Sequence, residues 1–364
     1  MARRLQTAVG MRRLWRLDLP AIALAILLPL GGCALDDSAD SGDSGGKGDD
    51  PGSGDTDDPG AVEFVSCTAL PYMPGEPQGF EHLHNELTAA GGATHHAQDI
   101  VALADQAATV SAVLQYSFLA VDIADEKVKV SLDGCDGWRN LGEVITDDDG
   151  RATAEVGEPL APGVYHIVYE VEGDATIASA YLWSLPIGTH LALFDIDGTL
   201  TTSDAELFKE ILLGEYVPEP YPSAAALTRA HADKGYIPVY LTGRPSTLNE
   251  TSRAWLDDLD FAQGVVHLTD HGSEVLPTDS GVGTYKRTFI RSLMDAGLAI
   301  DFAYGNASTD IFAYLGAGLP ADQVWIIGSH AGEQGTNPAD DGWAARAAEV
   351  DAAPPVEQPF TRTR

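Results

Sequence analysis

Asp195-Ile196-Asp197-Gly198-Thr199-Leu200-Thr201 directly follows the apolar run His190-Leu191-Ala192-Leu193-Phe194. Such a short apolar run reads as a buried strand, so both carboxylates fall at its C-terminal edge. Gly198 lets the backbone turn there and approach a ligand closely. Two acids two residues apart, beside a turn rich in N–H groups, suit a metal-bound phosphate.

The same rhythm continues downstream. Ser223 to Asp233 is helix-like, Tyr236 to Leu241 is a second strand, Leu248 to Leu259 a second helix, and Gly264 to Leu268 a third strand. Tyr285 to Ala296 reads as a helix, Asp301 to Tyr304 as a strand, Asp310 to Ala317 as a helix and Val324 to Ile327 as a strand. Strands alternating with helices imply an α/β domain with a doubly wound parallel sheet, whose sites lie at the C-terminal ends of the strands. Upstream, Lys127 to Leu132 and part of Val164 to Val171 alternate, Ala178 to Trp183 forms a short run, and Asp133-Gly134, Asp149-Gly150 and Gly173-Asp174 mark turns. That pattern predicts a β-sandwich-like module. The divisions expected are a β-rich module over 61–187, the α/β domain over 188–332, and an acidic Ala/Pro-rich tail over 333–364 that frays.

The Asp195–Thr201 stretch resembles the signature of the haloacid dehalogenase-like phosphohydrolases. Further motifs of that superfamily follow in order: Leu241-Thr242-Gly243-Arg244-Pro245 after the second strand, Lys286 at a helix start, and Gly305-Asn306-Ala307-Ser308-Thr309-Asp310 after the fourth. The resemblance implies that Asp195 attacks phosphorus and that Asp197 protonates the leaving oxygen and then activates water. It implies that Thr242 binds the transferring phosphoryl group, that Lys286 neutralises charge, and that Gly198, Thr199, Gly243 and Arg244 hold the phosphate, Arg244 by forking onto a second oxygen. Mg²⁺ would be held by Asp195, the carbonyl of Asp197, and the Asn306/Asp310 motif.

A narrower likeness is carried by Asp195 to Thr201, Tyr304 to Tyr314 and Gly318-Leu319-Pro320. These look like the lipin-type domain of Mg²⁺-dependent phosphatidate phosphatases. Tyr240 to Pro245, Gly264-Val265-Val266 and Val324 to Gly328 look closer to the membrane-associated phosphatidylinositol transfer proteins of the retinal degeneration B type. That likeness extends upstream through Gly163 to Tyr165 and covers about residues 94–330. Those proteins often lack the first aspartate and bind phosphatidic acid without hydrolysing it, whereas this chain keeps both Asp195 and Asp197. Asn306, where the superfamily more often has an acid, matches lipins.

The 364 residues carry a formal charge of −34, with 45 acidic and 15 basic residues from position 61 onward. Such a surface repels nucleic acid and has no polybasic patch for anionic lipid. At the N-terminus, Arg3, Arg4, Arg12, Arg13 and Arg16 precede the apolar run Leu19 to Leu30, which is short for a membrane span. Leu30-Gly31-Gly32-Cys33 then resembles a bacterial lipobox, with Cys33 lipidated. The alternative is an ordinary signal in which Cys33 is incidental. Residues 34–60 are Asp, Gly, Ser and Pro and read as a disordered tether. The expectation is an exported lipoprotein facing the periplasm or on the outer membrane. Cys67 and Cys135 either pair in that oxidising compartment or stay as buried thiols.

The gaps from Thr201 to Tyr236 and from Pro245 to Lys286 are mostly used by core elements, so little length remains for a cap. An open site accepts bulky or membrane-embedded phosphates. The leading expectation is a Mg²⁺-dependent phosphomonoester hydrolase with phosphatidic acid as substrate. The rivals are a non-catalytic module for phosphatidic acid or phosphoinositide, and a phosphatase for soluble or protein phosphates.

Overall fold

The computed structural model describes residues 63–66, 71–117, 119–133, 137–203, 217–269, 278–339, 342–357 and 361–362. Cys33, Cys67 and Cys135, and the segment read as signal and tether, lie outside them. The upstream module runs β1 (Glu63–Ser66), α1 (Leu83–Ala89), β2 (His96–Ala97), β3 (Ile100–Leu103), β4 (Thr109–Val113), β5 (Gln115–Tyr116) and β6 (Val121–Asp122). It continues through β7 (Lys127–Asp133), β8 (Trp138–Ile145), β9 (Arg151–Glu155), β10 (Gly163–Val171) and β11 (Ile177–Leu185).

A seven-stranded sheet follows the order β18-β1-β10-β11-β3, where β18 is Thr361–Arg362; β7 also pairs with β10, and β8 with β7. A three-stranded sheet β2-β4-β9 faces it. Because side chains alternate along a strand, β10 splits its residues between two cores. Tyr165, Ile167, Tyr169 and Val171 meet Val110, Ala112, Ala152 and Ala154 of the smaller sheet. Val164, with Trp183 and Leu185 of β11, packs instead into the core of the α/β domain. The β-sandwich-like module thus shares one hydrophobic core with its neighbour.

The α/β domain runs β12 (His190–Phe194), α2 (Ala224–Asp233), β13 (Ile237–Pro245), α3 (Asn249–Asp258), β14 (Val265–Thr269), α4 (Thr284–Asp295), β15 (Ala299–Gly305), α5 (Ser308–Ala317), β16 (Val324–Ile327), β17 (Asn337–Ala339) and α6 (Ala344–Ala352). The sheet order β14-β13-β12-β15-β16-β17 is parallel throughout. Chain order reverses between β12 and β15, which creates the crevice where doubly wound sheets bind ligands. The frayed tail expected after position 332 is corrected. Asn337–Ala339 is the sixth strand, α6 packs on α2, and Trp343 is wholly buried with its indole N–H on the Thr199 carbonyl at 2.8 Å. A single indole with a large apolar area and a satisfied donor outweighs the polar composition around it.

β14 is an edge of the sheet, and an edge presents unpaired N–H groups. Here two side chains of the β module cap them. Asp99 Oδ2 accepts the Val266 N–H at 2.9 Å, and Gln98 Oε1 accepts the Leu268 N–H at 3.0 Å. Asp99 Oδ1 also accepts from the Tyr181 N–H and the Arg253 guanidinium, both at 2.8 Å. Asp99→Ala strands those donors, but Arg253 keeps 18% side-chain exposure and can turn to water. The expected loss is about 2–3 kcal/mol, read by urea unfolding. A change under about half a kcal/mol would show that the edge cap is not holding the modules together.

Candidate active site

β12 delivers Asp195 to the C-terminal edge of the sheet, where its N–H donates to the Tyr304 carbonyl of β15 at 3.0 Å. Gly198 has φ 74°, so the chain turns sharply after Asp197 through the region open to glycine. The Asp195 carboxylate is buried and bound on both oxygens. Lys286 Nζ of α4 donates to Oδ1 at 2.5 Å, and Thr199 Oγ1 contacts Oδ2 at 2.9 Å. Burial pushes the Asp195 carboxyl up to about 7, against the opposing pull of Lys286. For Lys286, burial disfavours the ammonium, but Asp195 and Asp310 outweigh it and hold its pKa above the ordinary lysine range.

Asp310 belongs to the first turn of α5. Its Oδ1 accepts from Lys286 at 2.7 Å, and its Oδ2 accepts the N–H groups of Asn306 and Ala307, each at 3.0 Å. Gly305 is required there, because a Cβ on it would stand 2.6 Å from that of Asp310. Both oxygens of Asp310 are therefore engaged in holding the loop and the lysine. Oδ1, whose one donor among the described residues is Lys286, keeps a lone pair that a metal can take.

Arg244 also differs from its expected place. The sequence points its fork at a phosphate oxygen. In the structure Nε donates to Asp197 Oδ2 at 2.8 Å and Nη2 to Asp197 Oδ1 at 2.9 Å, while Nη1 donates to Ser252 Oγ at 3.0 Å. The guanidinium is fully buried, and a planar fork matches a carboxylate as well as a phosphate. Thr242 Oγ1 lies 3.4 Å from Asp197 Oδ2 and accepts the Arg244 N–H at 3.2 Å. Gly243 packs its bare Cα against Val282, where a Cβ would meet Cγ2 at 2.8 Å. The Gly198 N–H donates to Thr201 Oγ1 at 3.0 Å. Ser252 and Trp343 carry no motif, and sequence reasoning missed both.

Among the described residues no three His, Cys, Asp or Glu side chains converge as a metal cluster. A site for Mg²⁺ here needs fewer. Thr199 Oγ1 lies within reach of both Asp195 Oδ2 and Asn306 Oδ1, at 2.9 and 3.2 Å, so these two hard oxygens face one small space. Among the described residues, three carboxylates, Asp195, Asp197 and Asp310, stand against two cations, Lys286 and Arg244. One negative charge is left over in a buried cluster, and a cation offsets it. The residues therefore fit the ion, through Asp195, Asn306 and the carbonyl of Asp197.

Beside the cluster is a recess of about 220 Å³, whose walls include Gly198, Thr202, Asn306, Ser329 and His330. It opens at the C-terminal ends of β12, β15 and β16.

Two adjacent domains of one protein group match this chain. Residues 93–183 match the family model of the PITM 1-3 beta-sandwich domain, and residues 192–328 match that of the PITM 1-3 LNS2 domain. Membrane-associated phosphatidylinositol transfer protein 3 of Mus musculus is 32% identical over 270 residues, 72% of this chain and 26% of that protein, and the Homo sapiens form gives the same values. Protein retinal degeneration B of Drosophila melanogaster is 29% identical over 269 residues, 71% of this chain and 20% of that protein. The two modules are homologous to part of the PITM and retinal degeneration B proteins, whose LNS2 domain is of the haloacid dehalogenase-like, lipin type. The chain spans about a quarter or less of the length of these relatives. Likeness to solved structures is weak: a carbohydrate acetylesterase from Xanthomonas citri aligns at 12% identity, over 69% of this chain and 70% of that one, with a TM-score of 0.28, and carries no argument.

These relatives overturn one expectation. They are membrane-associated proteins of animals, so the bacterial exported lipoprotein, with its signal peptide, its Cys33 anchor and its outer-membrane or periplasmic place, does not stand. Among the described residues no helix is long and apolar enough to cross a membrane.

Proposed function

We propose that the chain is a Mg²⁺-dependent phosphomonoester hydrolase that works through an aspartyl-phosphate on Asp195, with phosphatidic acid as the preferred substrate. The observation that carries this reading is the Asp195 carboxylate, buried at the end of β12 with Lys286 on one oxygen and Thr199 on the other. A nucleophile so held is oriented before substrate arrives. Asp195 forms the bond to phosphorus as the ester P–O bond breaks, and the leaving alkoxide takes a proton from Asp197. Asp197 then removes a proton from the water that attacks the aspartyl-phosphate, which frees phosphate and restores Asp195. Lys286 stays beside the reacting oxygens throughout and offsets their charge. When bound, Mg²⁺ supplies charge neutralisation between the anionic nucleophile and the anionic phosphate.

Lipid is favoured as substrate by the names of the mouse and human relatives, which are phosphatidylinositol transfer proteins. It is also favoured by the chain between the motifs, where the described residues include the core elements α2, α3 and β14 and no inserted domain. A second reading, a module that binds lipid phosphate without turnover, has one observation of its own. Asp197 has both oxygens on the Arg244 fork, an arrangement that favours its carboxylate over the protonated form a general acid needs.

Phosphate release from phosphatidic acid in mixed micelles, with and without Mg²⁺ and beside a soluble phosphomonoester, separates the readings. Release that needs Mg²⁺ and favours the lipid is the expected result. Turnover of the soluble ester alone would remove the lipid and keep the mechanism. Binding of the lipid with no release from either would leave the non-catalytic module.

A further inference from the structure

We propose that the hairpin of β5 and β6 is a lipid-contact element, whose Leu119 and Val121 enter the interface of a neutral phospholipid bilayer and hold the catalytic edge against it. The inference rests on the lipid-phosphate reading above and extends it to a surface. Leu119 is 68% exposed and Val121 42%. Single exposed aliphatics are common, so exposure alone decides nothing. The construction of the hairpin does. Leu114, Tyr116 and Ile123 at its base are fully buried, and the chain then carries its next aliphatics outward. Ser117 (φ 70°) and Ala120 (φ 50°) both occupy the left-handed region, which non-glycine residues rarely take. Ser117 and Ala120 are fastened in that conformation. Ser117 N–H donates to the Gly92 carbonyl at 2.7 Å, Ala120 N–H to the Ser117 carbonyl at 2.9 Å, and Gln115 Nε2 to Asp122 Oδ1 at 2.7 Å. Leu119 and Val121, exposed beside a buried base, are placed to meet something outside the protein.

Its position selects what that is. A cleft of about 380 Å³ has Ser117, Leu119 and Ala120 on one wall and Ser246, Thr247 and Glu250 on the other. Ser246 directly follows β13, the strand that carries Thr242 and Arg244, so the tip stands at the same edge of the sheet as the candidate site. Helix α1 runs into the Gly91–Gly92 turn that clasps Ser117, and its Leu83 and Leu87, one turn apart on one face, are each 70% exposed. The chain carries a formal charge of −34, so electrostatic adhesion to an anionic membrane is not open to it. Apolar insertion into a neutral interface is, with the hydroxyls of Ser117 and Thr247 and the carboxylate of Glu250 left at headgroup depth. Phosphatidic acid dispersed in such a matrix would then reach the recess beside Gly198 without the whole acidic surface approaching charged lipid.

Hydrogen exchange of the full chain with and without phosphatidylcholine vesicles tests this, with hydrolysis followed alongside. Amides of 115–123 are expected to slow on vesicles. Leu119→Asp is expected to abolish that protection and weaken vesicle partitioning about tenfold. It leaves the melting temperature and turnover of a soluble ester unchanged, since the side chain is outside the core. Absence of vesicle capture would overturn the proposal, as would capture without protection at 115–123 or protection that survives Leu119→Asp. Protection that grows with protein concentration in the absence of vesicles would assign the tip to a second copy of the chain and also overturn it. A wild type that protects 115–123 on vesicles but hydrolyses nothing would remove the hydrolase reading and leave the lipid contact standing.

Discussion

Asp195→Asn is expected to lower phosphate release at least about a thousandfold while making the fold more stable. The first effect follows from chemistry, because an amide oxygen cannot form the phosphoryl bond that a carboxylate forms. The second follows from charge. Three carboxylates and two cations share the buried cluster, and the asparagine brings them to two and two. Lys286 keeps Asp310 at 2.7 Å, so the substitution strands no cation. The pH dependence has a definite sign. Burial raises the Asp195 carboxyl from 3.8 to about 7, so between those values the folded protein holds a proton that the unfolded chain has released. Wild-type stability from this group is present below about pH 4 and is lost as pH rises to about 7. The advantage of the variant is thus absent at about pH 4, grows through that window, and reaches about 4 kcal/mol at most above it without divalent cation. Melting temperature against pH in chelator measures it. Mg²⁺ should narrow the gap, because an ion that binds wild type stabilises it by mass action and has less to hold in the variant. A variant less stable than wild type at about pH 7 would mean that the cluster is already balanced by a group not counted among these five.

Much of this was legible in the sequence, for a local reason. In a parallel sheet every strand ends at the same edge, so a motif that follows an apolar run is carried to that edge whatever the rest of the chain does. Asp195, Thr242 and Asn306 each follow such a run, and Lys286 lies in the first turn of the helix that returns from β14. Their meeting needs only the strand order. What was not legible depends on orientation and long-range pairing. Nothing in Leu241 to Pro245 says that Arg244 turns inward to Asp197, because a fork fits a carboxylate and a phosphate equally well. Gln98 and Asp99 look like ordinary polar residues before β3, and their capping of β14 appears only once the two modules are packed. Asn337 to Ala352 failed by composition, since alanine, proline and acids outvote one tryptophan in a local window but not in a core. Export rests on residues 1–60, and the relatives that overturn it match only from about residue 93 onward in the family models.

Arg244→Met is expected to be among the most destabilising single substitutions in the α/β domain, about 3–5 kcal/mol. Methionine roughly keeps the length of the side chain, so little of the cost comes from a cavity. It comes from Asp197, whose two oxygens lose the Nε and Nη2 donors together, in a cluster whose described residues then set three carboxylates against Lys286. Ser252 loses its partner as well. Arg244→Lys should recover only part of the loss, because an ammonium offers a point charge where the site has two oxygens in a plane. Combining Asp197→Asn with Arg244→Met decides whether charge or packing is responsible. If stranded charge is the cause, Asp197→Asn relieves it, and the double variant is more stable than Arg244→Met alone by about 1 kcal/mol or more, on the order of the coupling expected between contacting residues. If the two losses simply add, the fork is a packing element and the charge count is the wrong description. Turnover distinguishes a further point. Should Arg244 have to release Asp197 before proton transfer, Arg244→Lys, with its looser hold, loses less in kcat than its lost stability suggests, and its pH profile shifts relative to wild type. An unshifted profile would place Asp197 in its working position already, with the fork as its permanent support.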